Sequence, residues 1–264
     1  MSRRIPWSAE VPVARPDRPR LWWEIAIVLG LSLGASAVYS VVSIISRVTD
    51  KTPLADQSAA VNPSQSTREW LDFTYQFLGN LFPLFAVALV VFVLWQKQRS
   101  GFRRIGLDLT RPGRDLGGGM LLFLAIGIPG ILLYALGRVL GITVQVQASP
   151  LDTHWWTIPI LVFAAVRAGL QEEVIIVGYL FTRLRQLGWG RWTIILSAAV
   201  LRGSYHLYQG FGPFIGNAIM GVVFGWCYTR WGRVMPLVVA HAVIDIVSFV
   251  GYPLAVAWWP GIFG

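Results

Sequence analysis

The chain has 264 residues, of which 55% are hydrophobic and only 13% charged, with a mean hydropathy of +0.58. A soluble domain of this size needs more charge to cover its surface, so the composition excludes an ordinary soluble globule and falls in the membrane class. The net charge of +9 sits in short segments between apolar runs, where it marks loops and meets lipid head groups, so no nucleic-acid partner is expected.

Residues 1–20 form a polar arm carrying Arg3, Arg4, Arg15, Arg18 and Arg20. Residues 21–264 read as one all-α, polytopic transmembrane bundle around a polar cavity in mid-membrane. Runs long enough to cross a bilayer, roughly 20 residues each, are expected at Leu21–Ile45, Phe77–Trp95, Leu116–Leu140, Trp156–Leu184, Trp192–Leu207, Phe214–Tyr228 and Val234–Val250. The apolar remainder after Gly251 is a half-span or the stump of an eighth helix, so seven to eight spans are expected. Ala35-Ser36-Ala37 resembles a cleavage site, but the first run continues to Ile45 and reads as an uncleaved anchor. Gly30/Gly34 and Gly221/Gly225 read as packing or kink pairs, and Pro129 as an interruption of the third span.

Basic residues alternate from loop to loop. Lys97, Arg99, Arg103, Arg104, Arg111 and Arg114 follow the second run, Arg183, Arg185 and Arg191 the fourth, and Arg230 and Arg233 the sixth. Residues 141–155 have no Lys or Arg, and residues 208–213 have no charge. The positive-inside rule then puts the N-terminus in the cytoplasm. The lone Cys227 rules out an internal disulfide and any Cys-based zinc motif.

Ionisable side chains inside a span cost at least about 2.5–3.5 kcal/mol each on insertion scales, so their presence asks for a reason. The fourth run carries Arg167, Gln171, Glu172 and Glu173, the fifth Arg202 and His206, and the seventh His241 and Asp245. His154, beside Trp155, reads as an ordinary interfacial residue. Arg202 and His206 are four apart, as are His241 and Asp245, so each pair shares a helical face. Glu172 and Glu173 point about 100° apart, so only one aims fully at a common centre and the other is free for an ion pair. Arg202 is the natural partner for Glu173, and Arg167 is a second structural cation.

A buried carboxylate serves as a base towards water, and imidazoles bind a developing oxyanion or a metal. Glu172, His206 and His241 also form an adequate donor set for zinc, although the chain has no HExxH. On spacing alone, hydrolysis, an ion or proton relay in a transporter, and structural pairing all remain open. No internal repeat or paired broken helices of the transporter kind is found.

Glu172-Glu173, then His206, then His241-x-x-x-Asp245 resembles the CPBP family of intramembrane proteases. This family includes the CAAX proteases, the Abi proteins, the bacteriocin-processing enzymes and the Rce1-like endopeptidases. Its pattern is EExxxR, FxxxH and HxxxN or HxxxD, and the resemblance covers residues 156–250. It implies an endopeptidase in which Glu172 activates water and Glu173 supports it. His206, His241 and Asp245 would complete the site as water and oxyanion contacts, or as zinc ligands on the metal-dependent view. Peptides or membrane proteins would be the substrates and lipids the surroundings, with a bacterial plasma membrane suggested by the Arg-rich, Lys-poor composition. Two positions depart: Val177 replaces the motif's Arg, and Arg202 replaces its Phe. Arg202 is expected to supply from the fifth run the guanidinium that the fourth lacks. A non-catalytic immunity or scaffold protein is the competing reading.

Overall fold

The computed structural model describes residues 17–147 and 154–254, and they are predominantly helical. Helices α1 (Arg18–Gly30) and α2 (Leu33–Val48) replace the single first run and are bent by 60°. Ser32 breaks the helix with non-helical dihedrals (φ −144°, ψ −126°), and its hydroxyl bonds back to the Val28 carbonyl at 2.6 Å. Gly30 and Gly34 flank this bend rather than packing two helices together. A Cβ on Gly34 would lie 2.7 Å from the Leu29 carbonyl oxygen, whereas Gly30 faces open space.

Helices α3 (Glu69–Leu81) and α4 (Pro83–Val93) form one 25-residue rod, with Pro83 at a first helical position, where its missing N–H is tolerated. A short α5 (Gly101–Ile105) precedes α6 (Pro112–Val139). Helix α6 continues through Pro129, so the expected interruption is not a break. Helix α7 (Thr157–Glu172) passes into a π-helical stretch, Glu173–Leu180, and then into α8 (Phe181–Gln186). Helices α9 (Arg191–Ser204), α10 (Phe211–Trp231) and α11 (Met235–Ile246) complete the bundle.

Among the described residues, four helices are long and apolar enough to cross a membrane: Glu69–Val93, Pro112–Val139, Phe211–Trp231 and Met235–Leu254. The bent α1–α2 pair makes a fifth if it counts as one span. The two other expected spans differ in kind. The α7–α8 rod carries the charged cluster, and α9 has only 14 residues, about 21 Å of helix. The expected stump of an eighth helix falls largely on residues 255–264, outside the described residues. Leu121, Ile128, Ile131 and Leu132 on α6 are exposed in the manner of a lipid-facing surface. The protein is integral to a membrane.

The α7–α8 rod is the central pillar. From Val174 to Phe181 every residue is buried, as a helix apolar on all sides requires. Glu24 of α1 grips it, accepting from the Tyr179 hydroxyl at 2.9 Å and the Arg183 Nε at 2.6 Å. Gly221 and Gly225 do act as a packing pair. A Cβ on Gly221 would lie 2.9 Å from the Ala199 Cα, and one on Gly225 2.8 Å from the Phe181 ring.

A small parallel sheet, β1 (Ser58–Ala60) with β2 (Gln145–Gln147), was not expected from the hydropathy pattern. It belongs to a set of loops tied to the turn after α9. The Val144 N–H bonds the Gln209 carbonyl at 3.1 Å, and the Phe211 N–H bonds the Ile142 carbonyl at 2.8 Å.

Candidate active site

Three elements meet at the polar cluster: the end of α7 with the start of its π-helical stretch, the end of α9, and α11. Where α7 ends, Glu172 and Glu173 diverge, as adjacent helical residues must. Glu172 turns to the end of α9, where its Oε2 accepts from the Tyr205 hydroxyl at 2.7 Å. The same oxygen lies 3.4 Å from Arg202 Nη2 and 4.0 Å from His206 Nε2. Glu173, completely buried, turns to Arg202 and α11. Its Oε1 accepts from Arg202 Nη1 at 2.7 Å and lies 2.8 Å from His241 Nδ1.

The Nδ1 of His241 faces two groups, Glu173 Oε1 and, at 3.1 Å, Arg202 Nη2. A protonated Nδ1 donates to the carboxylate, and an unprotonated one accepts from the guanidinium. On the other side of the ring, Nε2 lies 3.5 Å from Asp245 Oδ2.

Arg202 is fully buried and sits at the centre of the cluster. It lies over the Phe224 ring, 5.4 Å from its centroid, and reaches Met220 Sδ at 3.6 Å. Arg167 is placed differently. Its Nη1 bonds Gln171 Oε1 at 3.0 Å and its Nε bonds Asn80 Oδ1 at 3.3 Å, both neutral amides. Glu172 and Asp245 are near enough to act on Arg167 electrostatically, without pairing with it.

Among the described residues, both ring nitrogens of His206, the second carboxylate oxygen of Glu173 and the Nε of Arg202 are buried without a hydrogen bond. The one hydrogen bond to the Glu172 carboxylate among these residues falls on Oε2. His206 is only half-buried, its ring against Tyr205 with centroids 4.9 Å apart.

Among the described residues, no three His, Cys, Asp or Glu side chains converge as a metal site. His241 is turned to Glu173 rather than to His206, and the Arg202 cation lies against both glutamates. The zinc set of Glu172, His206 and His241 therefore does not fit this arrangement.

The outlying residues behave more simply. His154 stacks on Trp156 and lies 3.4 Å from Glu69, at the far end of α7. Val177 is buried in the apolar core. Sequence reasoning missed Tyr205 and Asn80; the signal for Tyr205 was a polar aromatic immediately before His206 and three residues after Arg202.

Comparison with known proteins adds one finding. Residues 154–247 match the family model described as "Type II CAAX prenyl endopeptidase Rce1-like". The matched stretch takes in all three helices that supply the cluster. No curated protein and no solved structure matches the chain.

Proposed function

We propose that the chain is an intramembrane endopeptidase in which Glu172 is the general base. The observation that carries this reading is the asymmetry of the two glutamates. Each keeps one oxygen without a hydrogen bond among the described residues, but Glu173 is fully buried with its Oε1 on Arg202 and His241, whereas the Glu172 side chain retains 11% exposure. Glu172 would take a proton from water as the water oxygen attacks a peptide carbonyl, then deliver that proton to the departing amine. His206, whose ring nitrogens make no hydrogen bond among the described residues and whose Nε2 lies 4.0 Å from Glu172 Oε2, would hydrogen-bond the water or the oxyanion. Glu173, Arg202 and Asp245 would fix His241 and balance charge around the site. The match to a prenyl endopeptidase family makes lipid-anchored peptides the first substrate class to try. The alternating basic loops support a cytoplasmic N-terminus, and the composition supports a bacterial plasma membrane.

The test compares peptide termini in membranes from cells expressing wild type or Glu172→Gln at equal levels. New cleaved ends that appear only with wild type are expected, and they name the substrates. Identical terminal profiles, with both proteins folded and abundant, would favour a binding or immunity role instead.

A further inference from the structure

We propose that Tyr205 is the positioning residue of Glu172, holding one carboxylate oxygen so that the other is presented to water. The inference rests on the peptidase reading and adds a residue at a position that its three motifs leave unspecified. A buried phenol needs a hydrogen-bond partner, and Tyr205, only 5% exposed, takes Glu172 Oε2 at 2.7 Å. Arg202 and His206 approach that same oxygen. The hydrogen bond and the two charged approaches thus all fall on Oε2. A glutamate has several rotamers open to it, and a base displaced by about 1 Å loses about 10²-fold in rate.

The phenol is itself fixed from outside the motif region. Tyr205 caps α9, so its carbonyl has no partner within the helix. Ser40 of α2, also buried, donates to that carbonyl at 2.9 Å. The bent N-terminal pair is therefore joined to the base through Ser40, Tyr205 and Glu172. The neighbouring charged and titratable groups are Arg202 and His206 at the end of α9, Glu173 and Arg167 around α7, and His241 and Asp245 on α11. None of them duplicates the phenol's short bond to Glu172.

Two measurements on the full-length protein in phosphatidylcholine–phosphatidylglycerol vesicles test this. Tyr205→Phe keeps the packing and removes only the hydroxyl. With glutamate labelled with carbon-13 at the side-chain carboxyl, infrared spectra assign the Glu172 band by its loss in Glu172→Gln. That band is expected to move in Tyr205→Phe; an unmoved band overturns the proposal. A pool of farnesylated peptides with free C-termini supplies the second readout. On its fastest-cut member, Tyr205→Phe is expected to lower kcat about 10–100-fold with KM within about twofold, and Ser40→Ala to act in the same direction but less. An unchanged kcat overturns the positioning role. Failure of the parent reading looks different, because Glu172→Gln would then cut the pool as fast as wild type.

Discussion

Two buried arginines, each set between a pair of carboxylates, end in opposite conditions. Arg233, before α11, donates from Nε to both oxygens of Asp115 at 2.7 and 3.0 Å, and from Nη1 to Asp108 Oδ1 at 3.0 Å. Its Nη2 bonds the Asp108 carbonyl at 2.7 Å and Asp115 again. Every guanidinium nitrogen is used. Arg202 leaves its Nε without a partner, and around it Glu173 Oε2 and both nitrogens of His206 are also unmatched. A buried polar atom without a partner costs about 1–3 kcal/mol. The Arg233 cluster is what a structural ion pair looks like when its bonding is complete. In the Arg202 cluster fewer of the buried polar atoms bond to other side chains, which is what the proposed peptidase site calls for.

Variants can break this comparison. The largest effect is expected from His206→Ala, with a loss of about 10²–10⁴-fold in peptide cleavage. Because His206 has no protein hydrogen bond to lose, unfolding in detergent should move by less than about 1 kcal/mol. A large loss of stability would place His206 with the structural residues. Next come Arg202→Leu and Arg233→Leu, each stranding buried carboxylates and costing about 3–5 kcal/mol in unfolding measurements. The pair Glu173→Leu with Arg202→Met removes both charges together and should recover most of that stability while remaining inactive in the cleavage assay. Recovery of activity as well would mean that the ion pair has no part in the chemistry.

The smallest expected effect is on acid stability. Partial burial acts to raise the Asp108 carboxyl, but hydrogen bonds from Thr110 and Arg233 and the charge of Arg233 outweigh it and hold the group below its ordinary value of 3.8. A depressed carboxyl contributes stability that is complete above its unfolded value and is lost as pH falls through the folded one. Asp108→Asn should therefore be less stable than wild type at neutral pH. The difference should shrink below about pH 4, as followed by thermal unfolding across pH.

One half of this contrast, the Arg202 cluster, was legible in the sequence, and for identifiable reasons. Long apolar runs separated by arginine show the membrane bundle, and the four-residue spacings put Arg202 with His206 and His241 with Asp245. Charge balance across two departures pointed to a bond between Arg202 and Glu173, the pairing found at 2.7 Å. Seven to eight spans are expected from the apolar runs, whereas length and composition of the described helices give four, or five with the bent pair. Counting runs passed over the Ser32 bend and the shortness of α9, both set by local hydrogen bonds and packing. Arg233 was read only as a basic loop residue, since its bonds to Asp108 and Asp115 cross more than 100 residues of chain. Tyr205 occupies an unspecified position of the second motif and Ser40 lies outside all three, and their link to Glu172 exists only once α2, α7 and α9 have packed.

The most direct test of the account is cleavage of the farnesylated peptide pool by purified protein in vesicles, wild type against Glu172→Gln. Wild type should cut and Glu172→Gln should be slower by about 10³-fold or more, with both equally folded. Equal cutting by the two proteins would contradict Glu172 as the base.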